Sequence, residues 1–119
     1  MLECIPRDLG AFDELIRVLG PNGILHLGLA GALSREKSLD HATPVDTYGT
    51  LHLYGRDVYQ RFGCAQKRLG MLIVQGQDPV TGVLDVIHLF TRHAPDVKRL
   101  RAWMERWDPS FTIIEEVLP

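Results

Sequence analysis

Apolar residues near the start of the chain recur at helical spacing. Leu9, Phe12, Leu15, Ile16 and Leu19 share one face, and Asp8 is placed to cap the first turn, so a helix is expected over residues 8–19. Gly20-Pro21-Asn22-Gly23 stops it. The period then changes to two. Leu25, Leu27 and Leu29 alternate with His26, Gly28 and Ala30, which predicts a strand, although the composition that follows leaves a helix open over 24–33. Residues 34–48 are polar, contain Pro44 and run into Gly49, and read as a long connection.

Alternation resumes at Thr50-Leu51-His52-Leu53-Tyr54, a second expected strand. A short helix follows, with Asp57 as its N-cap and Gly63 just past its end. Residues 69–75 form an almost unbroken apolar run, the pattern of a strand buried on both faces. Asp78-Pro79 and Gly82 then turn the chain into a hairpin strand over 83–91. Over 95–107, Pro95 opens a helix whose stripe is Val97, Leu100, Trp103, Met104 and Trp107, and Asp108-Pro109 ends it. Phe111, Ile113 and Ile114 mark the last strand.

The elements from about residue 49 onward follow the order β-α-β-β-α-β, which is that of a ferredoxin-like unit, preceded by a helix and a possible extra strand. The expectation is one α+β domain over residues 1–119, with a mixed or antiparallel sheet of four or five strands. That topology makes the strands at 50–54 and 83–91 central neighbours.

The same alternation assigns faces. Leu51 and Leu53 oppose Thr50, His52 and Tyr54; Ile87 and Leu89 oppose Leu84, Val86, His88 and Phe90. If the first members of each set meet the helices, Tyr54, Leu84, Val86 and Phe90 leave an apolar patch on the other face, with His52 and His88 among them. Soluble chains rarely leave such a patch bare. The N-terminal segment, a second copy of the chain in a homodimer, or a ligand can cover it.

Three tripeptides, Leu25-His26-Leu27, Leu51-His52-Leu53 and Ile87-His88-Leu89, repeat one local pattern. Three imidazoles can hold zinc or iron with a coordination position left open, so His26, His52 and His88 form a candidate metal site. His52 or His88 can also act as a general acid–base, with Asp46 or His41 as a partner from the long connection. Each histidine is equally accounted for as a half-buried strand residue. Arg56, Arg61, Lys67 and Arg68 can meet phosphate, and with Tyr54 and Phe90 they suggest single-stranded RNA stacked on a sheet. The net charge of −2 argues against nucleic acid. Lys98, Arg99, Arg101 and Arg106 read as a solvated helix face.

Cys4 and Cys64 stand apart, without metal-finger spacing, and suit a reducing cytoplasm; Lys67 and Arg68 near Cys64 can lower its pKa, or leave a plain free thiol. No apolar run is long enough for a membrane span, and no nucleotide fingerprint or nucleophile elbow is present. The leading expectation is therefore a small cytoplasmic binding or regulatory protein that engages a protein partner, itself or a small-molecule ligand through residues His52, Tyr54, Arg56, Val86, His88 and Phe90, without a cofactor. The alternative is a cavity enzyme or metal-binding protein built on the strand histidines.

Overall fold

In the computed structural model the helical spacing at the start of the chain becomes α1 (Asp8–Arg17), which buries Asp8, Phe12 and Ile16 along one stripe. The structure describes residues 1–29, 31–107 and 110–119. The alternating segment that follows is strand β1 (Ile24–Gly28), so the helical alternative over 24–33 is confined to one short turn at Ala32–Ser34. The two-residue strand β2 (Leu39–Asp40) forms inside the segment 34–48 expected as a long connection, β3 (His52–Leu53) follows that segment, and α2 (Val58–Arg61) comes next. Gly63 sits past α2 at φ +64°, the left-handed conformation that ends a helix at least cost in glycine.

Strands β4 (Gly70–Gln77) and β5 (Leu84–Thr91) form the expected hairpin. Its turn is organised by the Asp78 carboxylate, which accepts from the Val80 and Thr81 amides at 2.7 and 3.0 Å, and by Gly82 at φ +73°. Helix α3 (Asp96–Trp107) and strand β6 (Phe111–Val117) complete the chain. The Trp107 side chain and the Asp108-Pro109 stop lie outside what the structure describes. No helix among the described residues is long and apolar enough to cross a membrane.

The main sheet is four-stranded and wholly antiparallel, in the order β1-β5-β4-β6. Two expectations are corrected here. The segment 50–54 is not a central neighbour of 83–91; its ordered part, β3, pairs with β2 in a separate two-stranded ribbon. The place beside β5 goes to β1, and β6 takes the edge of β4, so the ferredoxin-like order does not describe this sheet. Residues 24–28 and 50–54 carry the same local alternation, and only long-range packing decides which of them enters the sheet.

The apolar face expected to lie open is also covered. Leu25, Leu27, Val86, His88 and Phe90 lie on the face that meets Leu2, Phe12, Ile16, Val58 and Phe62. The N-terminal segment, together with α2, covers it. The Phe12 ring stacks on Phe62 at 4.3 Å between centroids and meets Phe90 edge-on at 5.1 Å. On the opposite face, Val97, Leu100 and Met104 of α3 pack against Leu72, Val74, Ile87 and Leu89. β4 is buried from both sides, as its unbroken apolar run requires. Trp103 departs from the helix stripe; it is 57% exposed, beside Ile24 at the margin of α3.

Gly70 marks where β4 passes beneath the start of α3. A Cβ there would stand 2.7 Å from both the Ala94 carbonyl oxygen and Thr91 Oγ1, and 2.9 Å from the Val97 Cβ. Gly70→Ala is expected to destabilise the fold by about 1–3 kcal/mol, since backbone on two elements must shift to admit it. The unfolding midpoint in urea measures this; an unchanged midpoint would mean that the contact relaxes freely.

Candidate functional site

The densest polar cluster is built by the first turn of α1, the β2–β3 ribbon and α2. Asp8, almost wholly buried, accepts from the Tyr54 hydroxyl at 2.9 Å and from Arg61 Nη2 at 2.8 Å and Nε at 3.2 Å. Arg61 turns the other side of its guanidinium to Asp40, donating through Nη2 at 2.7 Å and Nη1 at 3.1 Å. One planar donor fork thus joins two carboxylates from distant parts of the chain. Hydrogen bonding to Arg61 holds the Asp40 carboxyl below the usual carboxylate range, against the opposing effect of burial. Burial, with Asp8 next to it, pushes the Tyr54 phenol upward. The Arg61 guanidinium also lies 5.6 Å from the Tyr54 ring centroid, within cation–π range.

His52 sits inside this cluster with both ring nitrogens committed. Nδ1 is 2.7 Å from Asp40 Oδ1, and Nε2 is 2.8 Å from the Ile5 carbonyl oxygen. Both partners are oxygen atoms of other residues, so each ring nitrogen faces a fixed protein contact. Neither nitrogen is left to take a proton from a substrate or to bind a metal. A cleft of about 290 Å³ adjoins the cluster, lined by Glu3, Cys4, Asp46, Tyr48, Thr50, His52, Leu53 and Tyr54. The Cys4 thiol there donates to the Tyr48 carbonyl at 3.3 Å, and Asp46 accepts from the Tyr48 and Thr50 amides. The Cys4 thiol, the Asp46 carboxylate and the His52 ring are therefore spent on holding the walls of this cleft.

The other expected site residues are dispersed. His88 is 1% exposed, on the core face beside Phe90, and its Nδ1 has no hydrogen-bond partner among the described residues. Desolvation by burial lowers its pKa to about 4. His26 is exposed and pairs with Leu89 in register, whereas Leu27 pairs with His88, so His26 and His88 lie on opposite faces of the sheet. His52 is off the sheet altogether. The three histidines do not meet, and no group of three metal-ligating side chains occurs among the described residues. Tyr54 and Phe90 are core residues, so neither offers a ring face to a base. Val86 is half-buried in the same core. Arg56 donates to the Leu33 carbonyl at 3.1 Å, and Arg61 is committed to Asp8 and Asp40 rather than to phosphate. The Cys64 thiol is buried and pushed up to about 12, so its reading as a plain free thiol stands over that of an activated one.

The expected cap residue Asp8 is instead the first helical residue and points into the core. Its signal was present in the spacing: Asp8, Phe12 and Ile16 are four apart and share the buried stripe. Comparison with known proteins finds no family model, curated protein or solved structure that matches this chain.

Proposed function

We propose that this chain is a protein-binding module that receives an extended, apolar segment of a partner along the free edge of β1. The carrying observation is the contrast between the two edges of the main sheet. β6 is guarded: Glu115 and Glu116 lie in it, and its register with β4 is broken by an irregularity between Ile73 and Val74. β1 reads Ile24-Leu25-His26-Leu27-Gly28, pairs with β5 in unbroken register, and carries no charged residue, proline or bulge. An unguarded apolar edge is a template for strand addition.

A groove runs beside that edge. Asn22, Ile24, Asp96, Arg99, Leu100 and Trp103 enclose about 310 Å³ between β1 and α3. Ile24 and Trp103 are the exposed apolar groups there, and tryptophan is the side chain that most often anchors an interface. Five residues of strand offer about 17 Å of edge, enough to seat a short extended peptide.

The test is selection of peptides from a displayed random decapeptide library, followed by amide-shift mapping on the isotope-labelled chain. Selected peptides are expected to alternate apolar residues and to shift the amides of residues 24–28 and Trp103. Trp103→Ala and Ile24→Lys, both at exposed positions, are expected to weaken binding about tenfold or more. Shifts confined to other surfaces, or unchanged affinity in both variants, would overturn the proposal. Concentration-dependent dimerisation through the same amides would overturn it in favour of a second copy as the occupant.

A further inference from the structure

A second cleft lies at the end of the sheet where β4 begins and β5 and β6 finish. It encloses about 580 Å³ and is lined by Ala65, Arg68, His93, Ala94, Pro95, Lys98, Leu118 and Pro119. The volume falls within the ~300–1,000 Å³ of small-molecule sites. Its floor is apolar, its rim carries three nitrogen bases, and no aspartate or glutamate lines it.

The neighbouring cations are already used. Lys67 bonds Asp13 at 2.9 Å and the Phe62 carbonyl at 2.6 Å, and Arg92 donates to the carbonyls of Ile16, Arg17 and Leu19. The Arg68 and His93 side chains, by contrast, have no hydrogen-bond or ion-pair partner among the described residues. Lys98 leans on Glu116 at 3.7 Å, a loose contact of a side chain 67% exposed, and can swing over the cleft. Arg68 is also held at φ +57°. Every other described residue at positive φ is a glycine: Gly31, Gly49, Gly63 and Gly82. A bulky side chain at that angle is disfavoured, so its presence asks what the guanidinium does there.

We infer that this cleft binds a small organic anion, a carboxylate or phosphate carried on an apolar body, with Arg68 as the principal anchor and His93 and Lys98 beside it. The guanidinium fork matches either headgroup, and Ala65, Ala94, Pro95 and Leu118 receive the body. This site is separate from the β1 edge, and its outcome does not depend on that proposal.

The probes are benzyl phosphate and phenylacetate, titrated separately into the isotope-labelled chain, with benzyl alcohol as the neutral control. Expected are saturable shifts of the Ala65, Arg68, His93, Ala94 and Lys98 amides with a dissociation constant of about 1 mM or tighter, and none with the alcohol. Binding of only one of the two anions supports the site and assigns its headgroup. Arg68→Gly separates ligand from fold: glycine suits φ +57°, so the variant is expected to unfold no earlier than the parent while its affinity falls about tenfold. No shift with either anion, equal shifts with benzyl alcohol, or full affinity in Arg68→Gly would overturn the inference.

Discussion

Arg61→Ala is expected to lower folding stability by about 3–5 kcal/mol, a large part of what a chain of this size possesses. The Arg61 side chain is only 14% exposed, and the Asp8 carboxylate it neutralises is 4% exposed. Removing the guanidinium leaves Asp8 with the Tyr54 hydroxyl as its hydrogen-bond donor and His52 Nε2 at 3.7 Å, and strips Asp40 of its bidentate partner. The loss measures an uncompensated buried charge and not the worth of the pair. Asp8→Leu and Arg61→Met combined with Tyr54→Phe, which leaves no buried hydroxyl without its acceptor, is therefore expected to recover most of it, because well-packed apolar groups often replace a buried pair at little cost. Urea unfolding at pH 7 checks both variants, and a loss below about 1 kcal/mol in Arg61→Ala would show that the cluster is wetter and weaker than its geometry implies. The acid limb carries the same signature. Asp40 is held below its unfolded value, so its contribution is complete above the ordinary carboxylate range and disappears as pH falls through the lower folded value. In Arg61→Ala the folded value returns toward the unfolded one, so this part of the acid limb shrinks.

Local periodicity carried most of the secondary structure and little of the site. The spacing over 8–19 and 95–107, the apolar run at 69–75 and the Asp78 turn each reflect one-dimensional rules, and each element forms where those rules place it. Partner choice is different. The tripeptides at 25–27 and 51–53 are identical, yet one lies in the main sheet and the other in a two-residue ribbon. What separates them is the tether on His52 and Tyr54: their polar atoms reach Asp40, Ile5 and Asp8, up to 47 residues away, and this draws residues 52–54 off the sheet. No window of sequence contains those contacts. The clefts lie beyond any window of sequence for the same reason, since each collects residues from segments far apart in the chain. Trp103 shows the limit of stripe arguments. It shares the helical phase of Leu100 and Met104, but α3 lies over β4, β5 and β6 and leaves the β1 margin uncovered.

Between pH 6.5 and 4 a second acid sensitivity is expected, and it comes from His88. Burial lowers this histidine from 6.5 to about 4 in the folded chain. As pH falls below 6.5 the unfolded chain takes up a proton that the folded chain refuses, so stability declines with each step down. The effect is absent above about pH 6.5, grows toward pH 4, and below that stops increasing, because both states are then protonated. A separation of this size corresponds to stability on the order of 3 kcal/mol lost across the window. His88→Leu, close in volume and unable to titrate, is expected to flatten this part of the stability–pH curve. It also removes the unpartnered Nδ1, so at pH 7 the variant is expected to match the parent or exceed it by about 1 kcal/mol. The window distinguishes the two residues: Arg61 acts through carboxylates in stronger acid, His88 through its own proton at milder pH. Urea midpoints for parent and His88→Leu at pH 7, 6, 5 and 4.5 decide the matter. Curves that separate toward acid, the parent falling further, place a neutral imidazole in the core; parallel curves would mean that His88 accepts its proton in the folded state, and that the sheet face beneath α1 admits water where the packing of Phe12 and Phe90 excludes it.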